Sequence, residues 1–294
     1  MKLIVTVLVL LACFRCASGL LPVGGTGPDP HGYYGPSANF NSGPVIKKPE
    51  VSTLAYGTYK GNGVRNFGAS NSFLADLPKT KYMSWIDKEY SAPKNKLKPG
   101  RLVHEYTIDI EMKSTVTEKT LQKSIKELVS RKLLSSNANG NAMTMIFLPP
   151  GVTMVTNDGR KSCVNFCGYN SGFVLNKKRQ YYLVIPDQQC SFALSKKRMD
   201  CQKGLSPIDA TTATLSGLYV SAKINPEPPG NGWIARYYGD LVFLCTKQAD
   251  RIKGPTGVTW VVQQFWHNGL RTCMTDPTRP YIKEGYVPTN IPHI

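Results

Sequence analysis

Residues 206–233 read SPIDATTATLSGLYVSAKINPEPPGNGW, and the reading of this stretch decides the fold. Ser206 suits a helix cap, Pro207 suits the first helical position, and Asp209 falls near the positive end of the helix dipole. Ile208, Thr211, Leu215, Leu218, Tyr219 and Ala222 recur at helical spacing, so one face is apolar enough for a core. Asn225-Pro226 stops the helix, and a Pro/Gly-rich turn carries the chain to Trp233.

Working outward, Val51–Tyr59 (VSTLAYGTY) alternates as a first strand, and Asn71–Tyr90 reads as one helix. Its core candidates are Phe73, Leu77, Tyr82, Met83, Trp85 and Ile86. Ser91-Ala92-Pro93 ends it and a basic loop follows. Leu102, His104, Tyr106, Ile108 and Ile110 then alternate with Val103, Glu105, Thr107, Asp109 and Glu111, a strand of period two. Thr117 caps an amphipathic helix with a stripe of Leu121, Ile125, Leu128, Val129 and Leu133. MTMIFL (Met143–Leu148) and the run Tyr181–Asp187 read as short buried strands.

Several blocks together resemble a family of secreted bacterial proteins related to the plant Exordium (phosphate-induced) proteins. The family helix reads roughly DALTxTxSHELxEAxTDP; Asp209-Ala210-Thr211, Ala213-Thr214-Leu215-Ser216 and Pro226–Trp233 keep its frame. Tyr82-Met83-Ser84-Trp85-Ile86 resembles YMDWL, and Pro149-Pro150-Gly151 the FPPG turn. Cys163 with Cys167-Gly168-Tyr169 resembles CxxxCGYH, Tyr181–Asp187 YAVIPD, Gly239-Asp240-Leu241 to Cys245 GDLC, and Gln263 to Cys273 QxxWSN…C. The resemblance implies a single zincin-like α+β domain: a mixed β-sheet, an active-site-like helix near residues 206–222, and a disulfide-stapled C-terminal half. In the bacterial relatives the helix His and Glu look like a metal site. This chain has Gly217 and Leu218 in place of His-Glu, Ser221 in place of the second Glu, and Asn170 in place of the His after CGY. None of the helix replacements is a useful zinc ligand. A degenerate metal site is therefore expected, with no metal, no cofactor and no catalytic residues.

The 294 residues are 41% hydrophobic and 19% charged, an ordinary globular balance. Met1–Gly19 reads as a signal peptide, with Lys2 ahead of an apolar run too short to span a membrane. The expected organisation is then a Gly/Pro/Tyr-rich arm over 20–42, the α+β domain over 43–275, and a tail over 276–294. Cys13 and Cys16 lie in the leader, which leaves Cys163, Cys167, Cys190, Cys201, Cys245 and Cys273. Six cysteines in an exported chain point to disulfides and permit several connectivities. The expectation is local pairing: Cys163–Cys167, Cys190–Cys201 and Cys245–Cys273. A metal reading of Cys163-x-x-x-Cys167 lacks a nearby His and a second close pair.

A formal charge of +17 predicts adhesion to polyanions. The candidate cations are Lys94, Lys96, Lys98 and Arg101; Lys177, Lys178 and Arg179; and Lys196, Lys197 and Arg198. Each short cluster also has a plain reading as solvated loop charge. No motif indicates specific nucleic-acid recognition. No G-x-S-x-G places a serine nucleophile, His31 sits in the arm, and Asp109 and Glu111 form an ordinary exposed pair on one strand face. His104-Glu105 lacks the second His of H-E-x-x-H, and its two side chains point to opposite faces. The function expected is a secreted, non-catalytic interaction or structural protein that binds acidic polysaccharides or acidic matrix proteins, in a cell wall, a matrix or a mineralised shell. The rival expectation is a divergent secreted metal-dependent hydrolase with relocated ligands.

Overall fold

The computed structural model describes residues 36–190, 201, 204–228, 230, 232–235, 238–246 and 248–278. The expected signal peptide, most of the arm, Lys196–Arg198 and nearly all of the tail lie outside these residues. The described chain opens with strands β1 (Ala38–Phe40) and β2 (Glu50–Tyr56), then helices α1 (Asn62–Asp76) and α2 (Lys81–Glu89). Strands β3 (Arg101–Ile108) and β4 (Thr115–Thr117) lead into helix α3 (Glu118–Ser130). Four strands follow: β5 (Ala142–Phe147), β6 (Thr153–Val155), β7 (Tyr169–Leu175) and β8 (Lys178–Ile185). Helix α4 (Pro207–Ile224) precedes the short strands β9 (Trp233–Ala235) and β10 (Gly239–Asp240). Two hairpins close the fold, β11 (Ala249–Lys253) with β12 (Thr259–Gln263) and β13 (Phe265–His267) with β14 (Thr272–Met274).

The central sheet has the order β3-β2-β5-β8-β7; its first four strands are mutually parallel and β7 runs antiparallel at one edge. It is a mixed sheet in an α+β fold. Both faces are covered, which explains the unbroken apolar run of β5. Met143, Met145, Leu183 and Ile185 face the cluster formed with α1, α2 and α4, while Ile146 and Val184 face Leu121, Ile125 and Leu128 of α3.

Four local expectations need correction. The single helix over 71–90 is two helices joined by a 3-10 turn, Leu77–Lys79. Pro78 lacks the N–H that a continuous helix needs, and Thr80 caps the second helix by accepting the Met83 N–H at 3.2 Å. The helix capped by Thr117 ends at Ser130, so Leu133 is exposed and Leu134 is buried instead. In β3 the pairing with β2 shifts between Val51 and Ser52. That bulge sends Leu102 to one face of the sheet and Tyr106 and Ile108 to the other, breaking the alternation read from the sequence. Ala38–Phe40, within the segment expected to be an arm, pairs with β9 and buries Ala38 in the core.

Helix α4 runs Pro207–Ile224 with Ser206 as its cap, the Ser206 hydroxyl accepting the Asp209 N–H at 3.2 Å. It is buried on every side from Ala210 onward, not along one face. Three of its hydroxyls tolerate this because they donate to carbonyls of their own helix: Thr211 to Pro207 at 2.8 Å, Thr212 to Asp209 at 3.2 Å, and Ser216 to Ala213 at 2.8 Å. Lys223, fully buried near its end, donates to Asp87 of α2 and to the Lys98 carbonyl.

Candidate functional site

The four positions where the resemblance implies metal ligands lie in one neighbourhood. Gly217 and Ser221 are one helical turn apart on α4 and share a face. Asn170 is in β7, the edge strand, and meets α4 there. The Ser221 hydroxyl lies 3.1 Å from Asn170 Oδ1 and 2.7 Å from Asp240 Oδ2. Asn170 Nδ2 donates to the Asn225 carbonyl at 3.0 Å, which orients its oxygen toward Ser221. Asp240 Oδ1 accepts the Val242 N–H at 3.2 Å, so Asp240 also caps the short helical turn over 241–245. Leu218 packs on Gly168, where an added Cβ would meet its Cδ1 at 2.5 Å. At Gly217 an added Cβ would lie 2.7 Å from Gln263 Oε1 and 3.2 Å from Val242 Cγ2.

This arrangement does not fit zinc. Asn170, Ser221, Asn225 and Asp240 are all buried. Zinc takes thiolate, imidazole or carboxylate ligands, and a catalytic site keeps one position open. Here there is one carboxylate, one hydroxyl and amides, already bonded to one another. Asp240 is pushed up to about 6, first by burial; the Ser221 and Val242 hydrogen bonds oppose that shift. Among the described residues, the one group of three or more His, Cys, Asp or Glu close enough to share an ion is Cys163, Cys190 and Cys201.

Those cysteines are committed to disulfides, and two of the three expected pairs are wrong. The bonds are Cys163–Cys190, Cys167–Cys201 and Cys245–Cys273; only the last matches the local scheme. The turn after Lys161 explains the change. Cys163 has φ 62°, and its N–H donates to the Phe166 carbonyl at 2.8 Å, which places a closed turn between Cys163 and Cys167. Each then crosses to the segment before α4. Gln188 ties that segment to the helix by accepting from Thr214 at 2.8 Å and donating to the Cys167 carbonyl at 2.8 Å.

The remaining histidine and acidic candidates stay apart. His104 packs its ring near Tyr106, whereas Glu105 on the other face accepts from Asn71 of α1. His267 stacks on Trp85, with ring centroids 5.5 Å apart, and its Nδ1 accepts the Leu270 N–H. Asp109 accepts from Thr58 and is exposed. His31 lies outside the described residues.

The basic clusters that are described occupy surface. Lys94, Lys96 and Lys98 lie in the loop before β3, and Lys47 donates to the Lys94 carbonyl. Lys177 sits at the tip of the β7–β8 hairpin. Arg101 pairs with Glu50 at 2.7 Å and Arg179 with Glu227 at 3.0 Å, so these two cations are partly neutralised. Sequence reading missed Asn225, Gln263 and the Lys223–Asp87 pair. Lys223 gave a signal, a cation inside an otherwise apolar helix, but its partner 136 positions away gave none.

Comparison with protein families, with characterised proteins and with solved structures finds no match to this chain.

Proposed function

We propose that this chain is a secreted, basic, non-catalytic protein of an extracellular matrix, built on a zincin-like scaffold and binding acidic polymers. The carrying observation is the buried Asn170–Ser221–Asp240 cluster, at the positions where the Exordium-like resemblance implies metal ligands. A hydroxyl held between one carboxylate and an amide oxygen stabilises a core and offers a substrate no approach. The mixed sheet, with its antiparallel edge strand beside α4, supports the zincin-like reading. Three disulfides are compatible with an oxidising compartment. Among the described residues no helix is long and apolar enough to cross a membrane. The high positive charge supplies the attraction to polyanions.

Two measurements on the purified, dialysed protein test this reading. Elemental mass spectrometry should find metal well below one atom per chain. Adsorption to an acidic polysaccharide should be released by salt, since screening shortens the reach of exposed charge to about 8 Å at physiological ionic strength. One tightly held zinc per chain, or retention in high salt, overturns it; the first result restores the hydrolase.

A further inference from the structure

The basic clusters are far apart in sequence, but the sheet gathers them. Its parallel strands start at one level: Arg101 pairs with Glu50, Glu50 with Ala142, and Met143 with Tyr181. The loop carrying Lys94–Lys98 reaches this end because the Lys98 N–H donates to the Lys47 carbonyl at 2.8 Å. The β7–β8 turn reaches it too. Asn176 and Lys177 both have positive φ, 50° and 64°, the geometry of a tight two-residue hairpin turn that holds Lys177 and Lys178 outward. Helix α3 ends at the same place: Asn137 Nδ2 donates to the Arg179 carbonyl at 2.6 Å, and Gln180 Nε2 to the Ser136 carbonyl at 2.9 Å.

The acidic residues at this end are already engaged: Glu50 by Arg101, Glu127 by Arg131, and Glu227 by Arg179. Lys48, Lys98, Lys132, Lys177 and Lys178 are exposed and join no ion pair among the described residues. The starts of β3 and β8 are three strand spacings apart, about 14 Å. A small anion cannot touch both groups, whereas a polymer can. Between α3 and the hairpin lies a hollow of about 290 Å³, lined by Val129, Ser136, Leu175, Asn176, Lys178 and Gln180. It is near the lower limit of small-molecule sites, roughly 300 Å³. Two aliphatic side chains beside a hydroxyl, amides and an ammonium suit the apolar face, hydroxyls and acid group of a charged sugar. An aromatic or guanidinium anchor from a folded protein would need a deeper, drier pocket.

We propose that this end of the sheet binds a linear anionic polysaccharide, with one charged sugar unit seated in the hollow and neighbouring units on Lys132, Lys177 and the Lys94–Lys98 loop. This rests on the polyanion-binding reading above and assigns it a place and a polymer class.

The test compares binding of dextran sulfate and poly-aspartate, at low ionic strength, to the full mature protein and three variants. The first reverses charge at the site, Lys132→Glu with Lys177→Glu and Lys178→Glu. The second makes the same net change elsewhere: Lys60→Glu and Lys113→Glu, after the ends of β2 and β3, with Lys119→Glu at the start of α3. The third, Ser136→Phe, fills the hollow without altering charge. Local electrostatics predict that the first variant weakens dextran sulfate binding by about tenfold or more and the second by less than about threefold. Ser136→Phe should weaken dextran sulfate binding severalfold and leave poly-aspartate binding unchanged. Equal losses in the two charge variants overturn the location. An unaffected Ser136→Phe overturns the hollow, and tighter binding of poly-aspartate overturns the polymer class. Failure of the unmodified protein to bind either polymer removes the polyanion reading itself.

Discussion

Ser221 and Asp240 share one proton position: Ser221 Oγ lies 2.7 Å from Asp240 Oδ2 and 3.1 Å from Asn170 Oδ1. A hydroxyl has a single hydrogen and faces two acceptors here. With Asp240 ionised, Ser221 donates to it and the Asn170 oxygen loses that donor. With Asp240 protonated, Asp240 donates to Ser221 and Ser221 donates to Asn170, so the side-chain oxygens of these three residues all have partners. The hydrogen-bond count and the burial-raised carboxyl of Asp240 point the same way.

The folded-state carboxyl, near 6, is above its ordinary value of 3.8. The folded state therefore holds a proton that the unfolded state releases, and that contribution is present near pH 4 and lost as pH rises through about 6. Asp240→Asn removes the ionisation. Between pH 4 and 7 its unfolding free energy should gain on that of the unmodified protein by as much as about 3 kcal/mol. Urea unfolding across that range, disulfides intact, measures the difference; parallel curves for the two proteins would sink the idea.

The Lys223–Asp87 pair behaves as a buried ion pair. Burial is the largest influence on both groups, lowering Lys223 and raising Asp87, and each partner's charge opposes the shift. Lys223→Met leaves the Asp87 carboxylate without its cation and should cost about 3–5 kcal/mol. The double variant with Asp87→Asn should recover part of that loss. A double-mutant cycle by urea unfolding reads the coupling, and additive single losses would show that there is none.

Gly217→Ala pits helix propensity against space. Alanine gains about 0.5–1 kcal/mol within a helix. Its Cβ, however, would meet Gln263 Oε1 at 2.7 Å. Gln263 is held by its side-chain bond to the Val242 carbonyl at 2.8 Å and its N–H bond to Ser216 at 2.9 Å. The net outcome should be a loss of about 1–3 kcal/mol, and combining it with Gln263→Ala should cost less than the two single changes together. A stabilised Gly217→Ala protein would mean that Gln263 yields freely.

The disulfide topology has a chemical signature. Peptide mapping without reduction should link Cys163 to Cys190, Cys167 to Cys201 and Cys245 to Cys273. The sulfurs of Cys190 and Cys201, in different bonds, lie 3.3 Å apart. Partial reduction by a small thiol should therefore yield a Cys190–Cys201 isomer by exchange, while Cys245–Cys273 keeps its partners. An isomer joining Cys245 to any of the other four contradicts the arrangement.

Much of the fold was legible because its signals are local. The Ser206 and Thr117 caps, the unbroken apolar strands β5 and β8, and the stop at Asn225-Pro226 each act within a few residues, where backbone hydrogen bonding depends on immediate neighbours. Pro78 was equally visible, yet the aromatic pattern around it spoke for one long helix, and the missing N–H prevailed. The bulge in β3 left no mark in the alternation, because register belongs to the pair of strands.

The sequence by itself determined the mixed helix–strand architecture, the high positive charge, the even cysteine set and the identity of the residues standing where the resemblance implies ligands. Tertiary structure alone decided which cysteines pair, that α4 is buried on every side, that Asp240 and Asn225 complete a polar cluster with Asn170 and Ser221, and that separate lysine clusters share one end of the sheet. The physical reason is that each of these depends on distances between side chains remote in the chain, set when the two faces of the sheet are covered and most buried polar groups find partners.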